Sequence, residues 1–149
     1  MRLNDSLHIS QLRVVVHLCG FLVLLYSFSM LPPMGIALLN KERSFFAFFS
    51  TFMTFFTLGG GAWLATKHAG IQLRTRDGFV IIVLFWLLFS FISAMPMWMD
   101  DGLNLSFADA LLEGVSGITT TGATVIDDVS ALPKSYLYYR AQLNFIGGL

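Results

Sequence analysis

Three long uncharged segments, separated by short charged ones, dominate the pattern of hydrophobic and polar positions along the chain. They span residues 14–31, 44–66 and 78–99, and each reaches the roughly 18 apolar residues that a helix needs to cross a bilayer. Pro32 and Pro33 follow the first segment, and helical character can resume over residues 35–39. The pattern therefore predicts three transmembrane helices.

A cleaved signal peptide is the alternative interpretation of the first segment, because Arg2 and Arg13 precede an apolar run. We favour a retained helix, since the run is longer than a usual signal core and no small-x-small cleavage motif precedes the next hydrophobic block. In the second segment, Gly59-Gly60-Gly61 predicts the close approach of a neighbouring helix or a local kink.

A shorter pattern at residues 104–124 predicts a half-length helix that leads into an oxygen-rich loop. Ser106 and Asp109 resemble a capping box, so the helix is expected to begin at Phe107. Gly117 can end it in a left-handed cap after about eleven residues, or roughly 16 Å. Such a segment can enter a membrane and return only if its irregular leg is buried in protein or faces water. We therefore expect a re-entrant pore helix.

The loop at residues 119–124 has the sequence Thr-Thr-Thr-Gly-Ala-Thr. Threonines favour an extended backbone, and each hydroxyl adds an oxygen beside the carbonyls. The C-terminus of the preceding helix favours a cation at this point, and carbonyl rings replace the hydration shell of the ion in potassium filters. An ordinary extracellular turn explains these six residues equally well in isolation. The membrane context favours an ion-selectivity loop.

Residues 125–133 are expected to lead back out of the membrane, and residues 135–149 to begin a fourth helix. That helix rises only about 22 Å, short of the roughly 30 Å hydrocarbon core. Arg140 either anchors at the headgroups, which we favour, or neutralises an acid near the pore. Gly147-Gly148 predicts close helix contact. The tyrosines of this helix are expected in the outer interfacial belt: Tyr136, Tyr138 and Tyr139.

Composition agrees with a membrane protein. The chain is 56% hydrophobic and 12% charged, whereas soluble domains are roughly 45–50% apolar and about 25% charged. A formal net charge of zero indicates no bulk attraction to nucleic acid. The single cysteine, Cys19, excludes an intrachain disulfide and is expected to be a small buried hydrophobe. An enzyme is disfavoured, because the sequence shows no paired acid and base on a plausible water-filled face, no metal-ligand cluster and no nucleophile elbow.

The charges also predict an orientation. Lys67, Arg74 and Arg76 place the loop before the third span in the cytoplasm, and the N-terminus with it. Lys41 and Arg43 then fall outside, which weakens this pattern without reversing it. Seven of the nine acids lie on the external side or at the pore loop: Glu42, Asp100, Asp101, Asp109, Glu113, Asp127 and Asp128.

Clustered acids raise the local concentration of cations at a pore mouth. Asp109 and Glu113 are the candidate acids of the pore helix and its vestibule. Glu113 lies at membrane depth, where an acid is usually paired or functional. Several of the other acids are equally well explained as solvated loop residues, Asp127 and Asp128 among them.

Residues 114–124, Gly-Val-Ser-Gly-Ile-Thr-Thr-Thr-Gly-Ala-Thr, follow Asp-Ala-Leu-Leu-Glu at residues 109–113 and precede Tyr139-Arg140 and Gly147-Gly148. Together they resemble the first pore repeat of the Trk/Ktr/HKT potassium transporters, most of all the bacterial TrkH/TrkG membrane subunits. Residues 76–86, Arg-Asp-Gly-Phe-Val-Ile-Ile-Val-Leu-Phe-Trp, are similar to the start of that family's first pore-flanking helix. In that family, four helix-pore-helix repeats surround one pathway, and TrkH-like members carry two additional front helices.

The resemblance implies that residues 1–77 supply a cytoplasmic N-terminus and two front helices, and that residues 78–149 form an incomplete first repeat. It implies that the carbonyls of Thr120 and Thr121 contact potassium, with Thr119, Gly122 and Ala123 completing the filter strand. Glycine at position 122 resembles the potassium-selective form. The resemblance also implies a homodimer in the bacterial inner membrane, a cytoplasmic nucleotide-binding TrkA-like regulator, and potassium rather than an organic cofactor as the ligand.

The sequence thus predicts an all-α integral membrane protein with three transmembrane helices, a re-entrant pore helix with its filter loop, and the start of a fourth helix. We interpret it as the N-terminal part of a potassium-uptake subunit, truncated and not conducting alone. A non-conducting small membrane subunit or assembly module is the alternative. A minimal homotetrameric channel is disfavoured because the inner helix is cut short.

Overall fold

The computed structural model of this chain describes the backbone of residues 2–67 and 75–149, and the side chains of residues 12–67 and 78–149. Arg74, which contributes to the predicted orientation, lies outside the described residues. The side chains of Asp5, Arg76 and Asp77 also lie outside them.

Helices make up all of the regular secondary structure in the described part of the chain. Three stretches there are long and apolar enough to cross a membrane, Leu12–Asn40, Ser44–Ala65 and Gly78–Trp98, at the positions of the three predicted spans. The helices are α1 (Arg2–Ser27), α2 (Leu31–Asn40), α3 (Ser44–Ala65), α4 (Thr75–Trp98), α5 (Phe107–Ile118) and α6 (Lys134–Gly147), with 3-10 turns at Phe28–Met30 and Val129–Ala131.

Pro32 and Pro33 do not end the first span at residue 31. They occupy the first turn of α2, directly after the 3-10 turn at Phe28–Met30. Proline is tolerated there because the N–H groups of a first helical turn have no partner within the helix. The first span therefore continues from α1 through α2 to Asn40.

Two glycines bring α1 and α3 into backbone contact. A Cβ atom on Gly59 would lie 2.7 Å from the Leu24 backbone nitrogen and 2.9 Å from the Gly20 carbonyl oxygen. A Cβ atom on Gly20 would lie 2.9 Å from the Trp63 backbone nitrogen. These contacts confirm the predicted packing role for the triple-glycine segment. The role belongs to Gly59, because a Cβ atom on Gly61 would meet nothing within 4 Å.

We expect Gly59→Ala to destabilise the packing of α1 on α3. The new methyl group meets backbone atoms on both sides of the contact, so the helices must separate, and overpacking of this kind costs roughly 1–3 kcal/mol. Thermal unfolding of the purified chain in detergent measures the effect. Gly61→Ala is the matched control in the same helix, and equal melting temperatures for both variants would contradict the packing role of Gly59.

The loop at residues 41–43, the loop at residues 99–106 and the first turn of α6 lie at the same end of the bundle, which we call the Glu42 end. The hydroxyl of Thr51, in the second turn of α3, lies 3.8 Å from the Met99 sulfur. Glu42 accepts a 3.0 Å hydrogen bond from the Lys134 backbone N–H. The N-terminus of α3, the C-terminus of α4 and the N-terminus of α6 therefore meet at this end.

The interfacial position predicted for Tyr136 and Tyr139 is wrong, because both side chains are fully buried. The Tyr136 hydroxyl donates to the Pro96 carbonyl at 2.7 Å, and the Tyr139 hydroxyl donates to the Ser93 carbonyl at 3.0 Å. A buried tyrosine is tolerated when its polar tip finds an acceptor in this way. These bonds fix α6 against α4, whereas Tyr138 is exposed.

Helix α5 enters from the Glu42 end and spans only part of the bundle. Its 12 residues rise roughly 18 Å, against a hydrocarbon core of about 30 Å. A Cβ atom on Gly114 would lie 2.8 Å from the Ala94 backbone nitrogen and 2.9 Å from the Ser90 carbonyl oxygen. The backbones of α5 and α4 therefore touch at Gly114, which fixes the depth of the short helix.

Candidate selectivity filter

The N-terminus of α5 is closed by the predicted capping box. The Asp109 backbone N–H donates to the Ser106 hydroxyl at 3.2 Å, and the Ser106 backbone N–H donates to the Asp109 carboxylate at 3.2 Å. The helix begins at Phe107, as predicted. The Asp109 carboxylate thus satisfies a backbone group at the N-terminus of the helix, where the helix dipole also favours an acid.

The C-terminus of α5 differs from the prediction. Gly117 does not end the helix in a left-handed conformation; α5 continues to Ile118, and the left-handed residue is Thr120, with φ of 56°. The Thr120 N–H donates to the Gly117 carbonyl at 3.1 Å and the Thr121 N–H to the Ser116 carbonyl at 2.9 Å. This pair of bonds is a Schellman motif.

The extended backbone predicted for all three threonines is therefore wrong for the first two. Thr119 caps the helix with φ of −89° and ψ of 2°, and Thr120 is left-handed. A β-branched residue in that conformation is strained by roughly 1–2 kcal/mol, and strain of this kind clusters at functional sites. Regular structure ends here, and residues 121–126 follow as an irregular segment.

The carbonyl groups of Thr119, Thr120, Thr121, Gly122 and Ala123 are available to a ligand. All five residues are exposed, and no donor among the described residues reaches their carbonyl oxygens. The Thr119 hydroxyl is already engaged, since it bonds the Val115 carbonyl at 2.7 Å and lies 2.8 Å from the Thr121 hydroxyl. Gly122 has φ of 78°, which favours glycine at that position.

A buried carboxylate holds the start of residues 124–133, which we call the return leg of this loop. Glu113 is 3% exposed and accepts from the Thr124 hydroxyl at 2.5 Å and from the Val125 backbone N–H at 2.8 Å. Its other oxygen pairs with the Arg140 guanidinium of α6. Helix α5, the return leg and helix α6 therefore meet at Glu113.

The headgroup anchor favoured for Arg140 is thus wrong, and the alternative that it neutralises an acid is confirmed. The pair lies well inside the bundle: Arg140 is six residues into α6, and the side chain of Glu113 is 1% exposed. A buried charge requires a partner.

Helix α6 also touches the C-terminus of α5 directly. A Cβ atom on Gly147 would overlap the Ile118 carbonyl group, immediately before Thr119. A Cβ atom on Gly117 would lie 2.9 Å from the Leu143 side chain. The close helix contact predicted for Gly147-Gly148 is therefore confirmed at Gly147, where it faces the start of the candidate filter.

The return leg ends in a local cap. The Asp128 carboxylate accepts from the Ser130 hydroxyl at 2.5 Å and from the Ser130 backbone N–H at 3.0 Å. These bonds lower the pKa of the Asp128 carboxyl below its ordinary value, because they favour its charged form.

Two further acids of the predicted external cluster also have structural partners. The Asp100 carboxylate lies 3.0 Å from the Tyr136 hydroxyl and shares its single proton with the Pro96 carbonyl. Glu42 accepts from the backbone N–H groups of Lys134 and Ser135. The role of Glu42 at α6 was not predictable from the sequence, because 92 residues separate Glu42 from Lys134 and no local pattern connects them.

The comparisons with known proteins agree with this architecture. A family model described as TrkH, cation transport protein, matches residues 44–149. The Trk system potassium uptake protein TrkG of Escherichia coli K12 is 73% identical over 140 residues, which cover 94% of this chain and 29% of TrkG. The TrkH protein of Halomonas elongata is 41% identical over 93% of this chain and 29% of its own length.

A solved structure shows the same arrangement of helices. The crystal structure of the potassium transporter TrkH from Vibrio parahaemolyticus superimposes with a TM-score of 0.87 at 38% sequence identity, covering 93% of this chain and 30% of that one. The predicted all-α membrane fold is thereby confirmed. The chain spans about 29% of the length of the relatives it matches.

These relatives are potassium uptake proteins and not enzymes, in agreement with the prediction. The apolar spans and the family match together identify a multi-pass membrane protein. The match covers most of the chain, including the whole of α3 to α6 and the loop at residues 119–123. This chain therefore belongs to the TrkH family of cation transport proteins.

Proposed function

We propose that this chain contributes the first pore loop of a potassium-uptake protein, in which the carbonyls of residues 119–123 replace water around a dehydrated potassium ion. The observation that carries the proposal is a run of exposed residues at the C-terminus of a half-length helix, whose carbonyl oxygens accept no hydrogen bond from the described residues. Carbonyl oxygens in this arrangement are the ligands of potassium filters. Potassium is the transported substrate.

The electrostatics of the loop support a cation. The C-terminus of α5 carries partial negative charge and points at Thr119. The carboxylate of Glu113 is already neutralised by Arg140, so carbonyl dipoles provide the local attraction. Neutral ligands of this kind let an ion leave as well as enter, which conduction requires.

The surroundings of the loop follow from the same proposal. The remaining pore repeats of a longer protein would cover the exposed side of residues 119–123. The plasma membrane is the proposed location, with the N-terminus and Lys67 on the cytoplasmic side, because short basic loops are retained there. A homodimer and a cytoplasmic nucleotide-binding TrkA-like regulator are proposed from the family resemblance.

The proposal is tested in a chimera that joins this whole chain to the part of Escherichia coli TrkG beyond the aligned region, called the TrkG chimera below. We expect the chimera to restore growth at low potassium, and rubidium uptake, in a bacterium that lacks its own potassium-uptake systems. A chimera that reaches the membrane but does not transport would favour the alternative, a non-conducting assembly module.

In the TrkG chimera, Gly122→Val is expected to abolish rubidium uptake. Gly122 has φ of 78°, and a β-branched residue disfavours that conformation by roughly 1–2 kcal/mol, so the carbonyls must reorient. Space does not explain the effect, because a Cβ atom on Gly122 would meet nothing within 4 Å. Gly61→Ala is the control with equally open surroundings, and normal uptake by the Gly122 variant would exclude this residue from the filter.

A further inference from the structure

We infer that Glu42 is a positioning residue for the candidate filter, acting from outside the pore repeat as the N-terminal cap of α6. The inference rests on the proposed function, since the residues it positions are those beside the filter. Glu42 also lies just outside residues 44–149, the part of the chain that the family model matches. The residues before α3, numbered 12–43 and called the front segment here, thereby gain a role in holding the pore repeat together.

Helix α6 has no cap of its own. Pro133 occupies the N-cap position and provides no side-chain hydrogen bond. Both oxygens of the Glu42 carboxylate take over this function: one accepts from the Lys134 N–H at 3.0 Å and the other from the Ser135 N–H at 3.2 Å. A carboxylate at this point also complements the positive end of the helix dipole.

The loop that carries Glu42 is held rigidly. Lys41 adopts the left-handed conformation, with φ of 55°, and the Glu42 N–H donates to the Ala37 carbonyl at 2.9 Å. The fully buried hydroxyls of Ser44 and Ser135 lie 2.8 Å apart beside the carboxylate. The cap is therefore preorganised by the ending of α2 and by the start of α3.

The front segment contacts α6 at a second level. The Gln142 side-chain amide donates to the Ser29 carbonyl at 2.7 Å, within the 3-10 turn between α1 and α2. Arg140 and Gly147 lie further along α6 than Lys134. Arg140 contacts Glu113, and Gly147 contacts the Ile118 carbonyl immediately before the filter. A displacement at the capped end of α6 is therefore transmitted along a rigid helix to both filter contacts.

The test compares Glu42→Ala in the TrkG chimera with the double variant Glu42→Ala/Pro133→Ser, in which serine supplies a local cap. Loss of a cap shifts a helix-docking equilibrium roughly fivefold. We expect Glu42→Ala to weaken the preference for rubidium over sodium by at least about that factor, at unchanged membrane abundance, and Pro133→Ser to restore it. Arg43→Gln, an exposed neighbour, is the control and is expected to leave the preference unchanged.

An unchanged ion preference in Glu42→Ala, with Gly122→Val still abolishing uptake, would overturn the positioning role and leave the proposed function intact. Uptake that survives Gly122→Val would instead contradict the proposed function. Failure of Pro133→Ser to restore the preference would show that Glu42 does not act through the α6 cap. Independently of transport, Ser44→Cys/Ser135→Cys in a Cys19→Ser background is expected to form a disulfide in membranes, and absence of that disulfide would overturn the contact.

Discussion

Replacing Arg140 by glutamine in the TrkG chimera is expected to abolish rubidium uptake. The change leaves the Glu113 carboxylate buried without its cationic partner. Removing one member of a buried ion pair costs about 3–5 kcal/mol, which is more than a hundredfold in an equilibrium constant. Glu113 also holds Thr124 and Val125, so its movement displaces the return leg of the candidate filter.

The double variant Glu113→Gln/Arg140→Gln removes both charges of the ion pair but keeps a hydrogen-bond acceptor at position 113. A neutral amide at position 113 keeps an oxygen that can accept from Thr124 and Val125, and no charge is left buried alone. We therefore expect the double variant to recover a substantial part of the uptake that Arg140→Gln loses. Uptake and membrane abundance are measured together for each variant.

Arg43→Gln is the control for loss of an arginine, because Arg43 is exposed and lies on the loop before α3. Normal uptake by Arg140→Gln would show that the filter does not depend on the ion pair. A double variant as inactive as Arg140→Gln would show that the guanidinium has a role beyond neutralising Glu113.

The second large effect is expected from Gly147→Ala. The added methyl group would overlap the Ile118 carbonyl, a backbone group that cannot rotate away as a side chain can. Ordinary overpacking costs roughly 1–3 kcal/mol, and a clash with backbone lies at or above the upper end of that range. Either α6 or the end of α5 must move, so we expect loss of selectivity for rubidium over sodium and at least about a tenfold loss of uptake.

Sodium competition in the rubidium-uptake assay measures this change. Gly148→Ala is the matched control at the next position: its Cβ atom would lie 3.2 Å from the Asn144 carbonyl oxygen, a contact that a small shift relieves. If Gly147→Ala retains the wild-type preference, the contact with Ile118 does not set the position of the filter.

Both predictions concern contacts between α6 and the short helix α5, which also packs against α4. On one side, Gly114 places α5 against the backbone of α4. On the other side, Gly147 and Arg140 of α6 fix the C-terminus of α5 and the return leg. The carbonyls at residues 119–123 thus depend on contacts made by residues that do not belong to the loop.

The elements of the fold were predictable from the sequence because they follow from local patterns. The lengths of the uncharged segments predicted the membrane spans. Ser106 and Asp109 predicted the residue at which α5 begins. The end of α5 was less predictable. Both Gly117 and the threonines carry local preferences, and the observed Schellman motif at Thr120 overrides the preference of a β-branched residue for extended backbone.

The side-chain partners in the candidate site were less predictable. Glu113 was expected to be paired or functional at membrane depth, but sequence left its partner open and favoured the headgroups for Arg140. Tyrosine is common both at membrane interfaces and in buried contacts with a polar partner. Residue type alone therefore could not distinguish an interfacial position from a buried one for Tyr136 and Tyr139.

Local sequence patterns were enough to identify a helical membrane protein with a half-length helix and an oxygen-rich loop. Those features depend on hydrophobic length, capping residues and residue type within about twenty positions of one another. The folded structure was needed to show that Glu42 caps α6, that Arg140 neutralises Glu113 and that Gly147 meets Ile118. Each of these contacts joins residues from separate helices or loops, and it exists only because packing brings distant backbone and charged groups together where water cannot satisfy them.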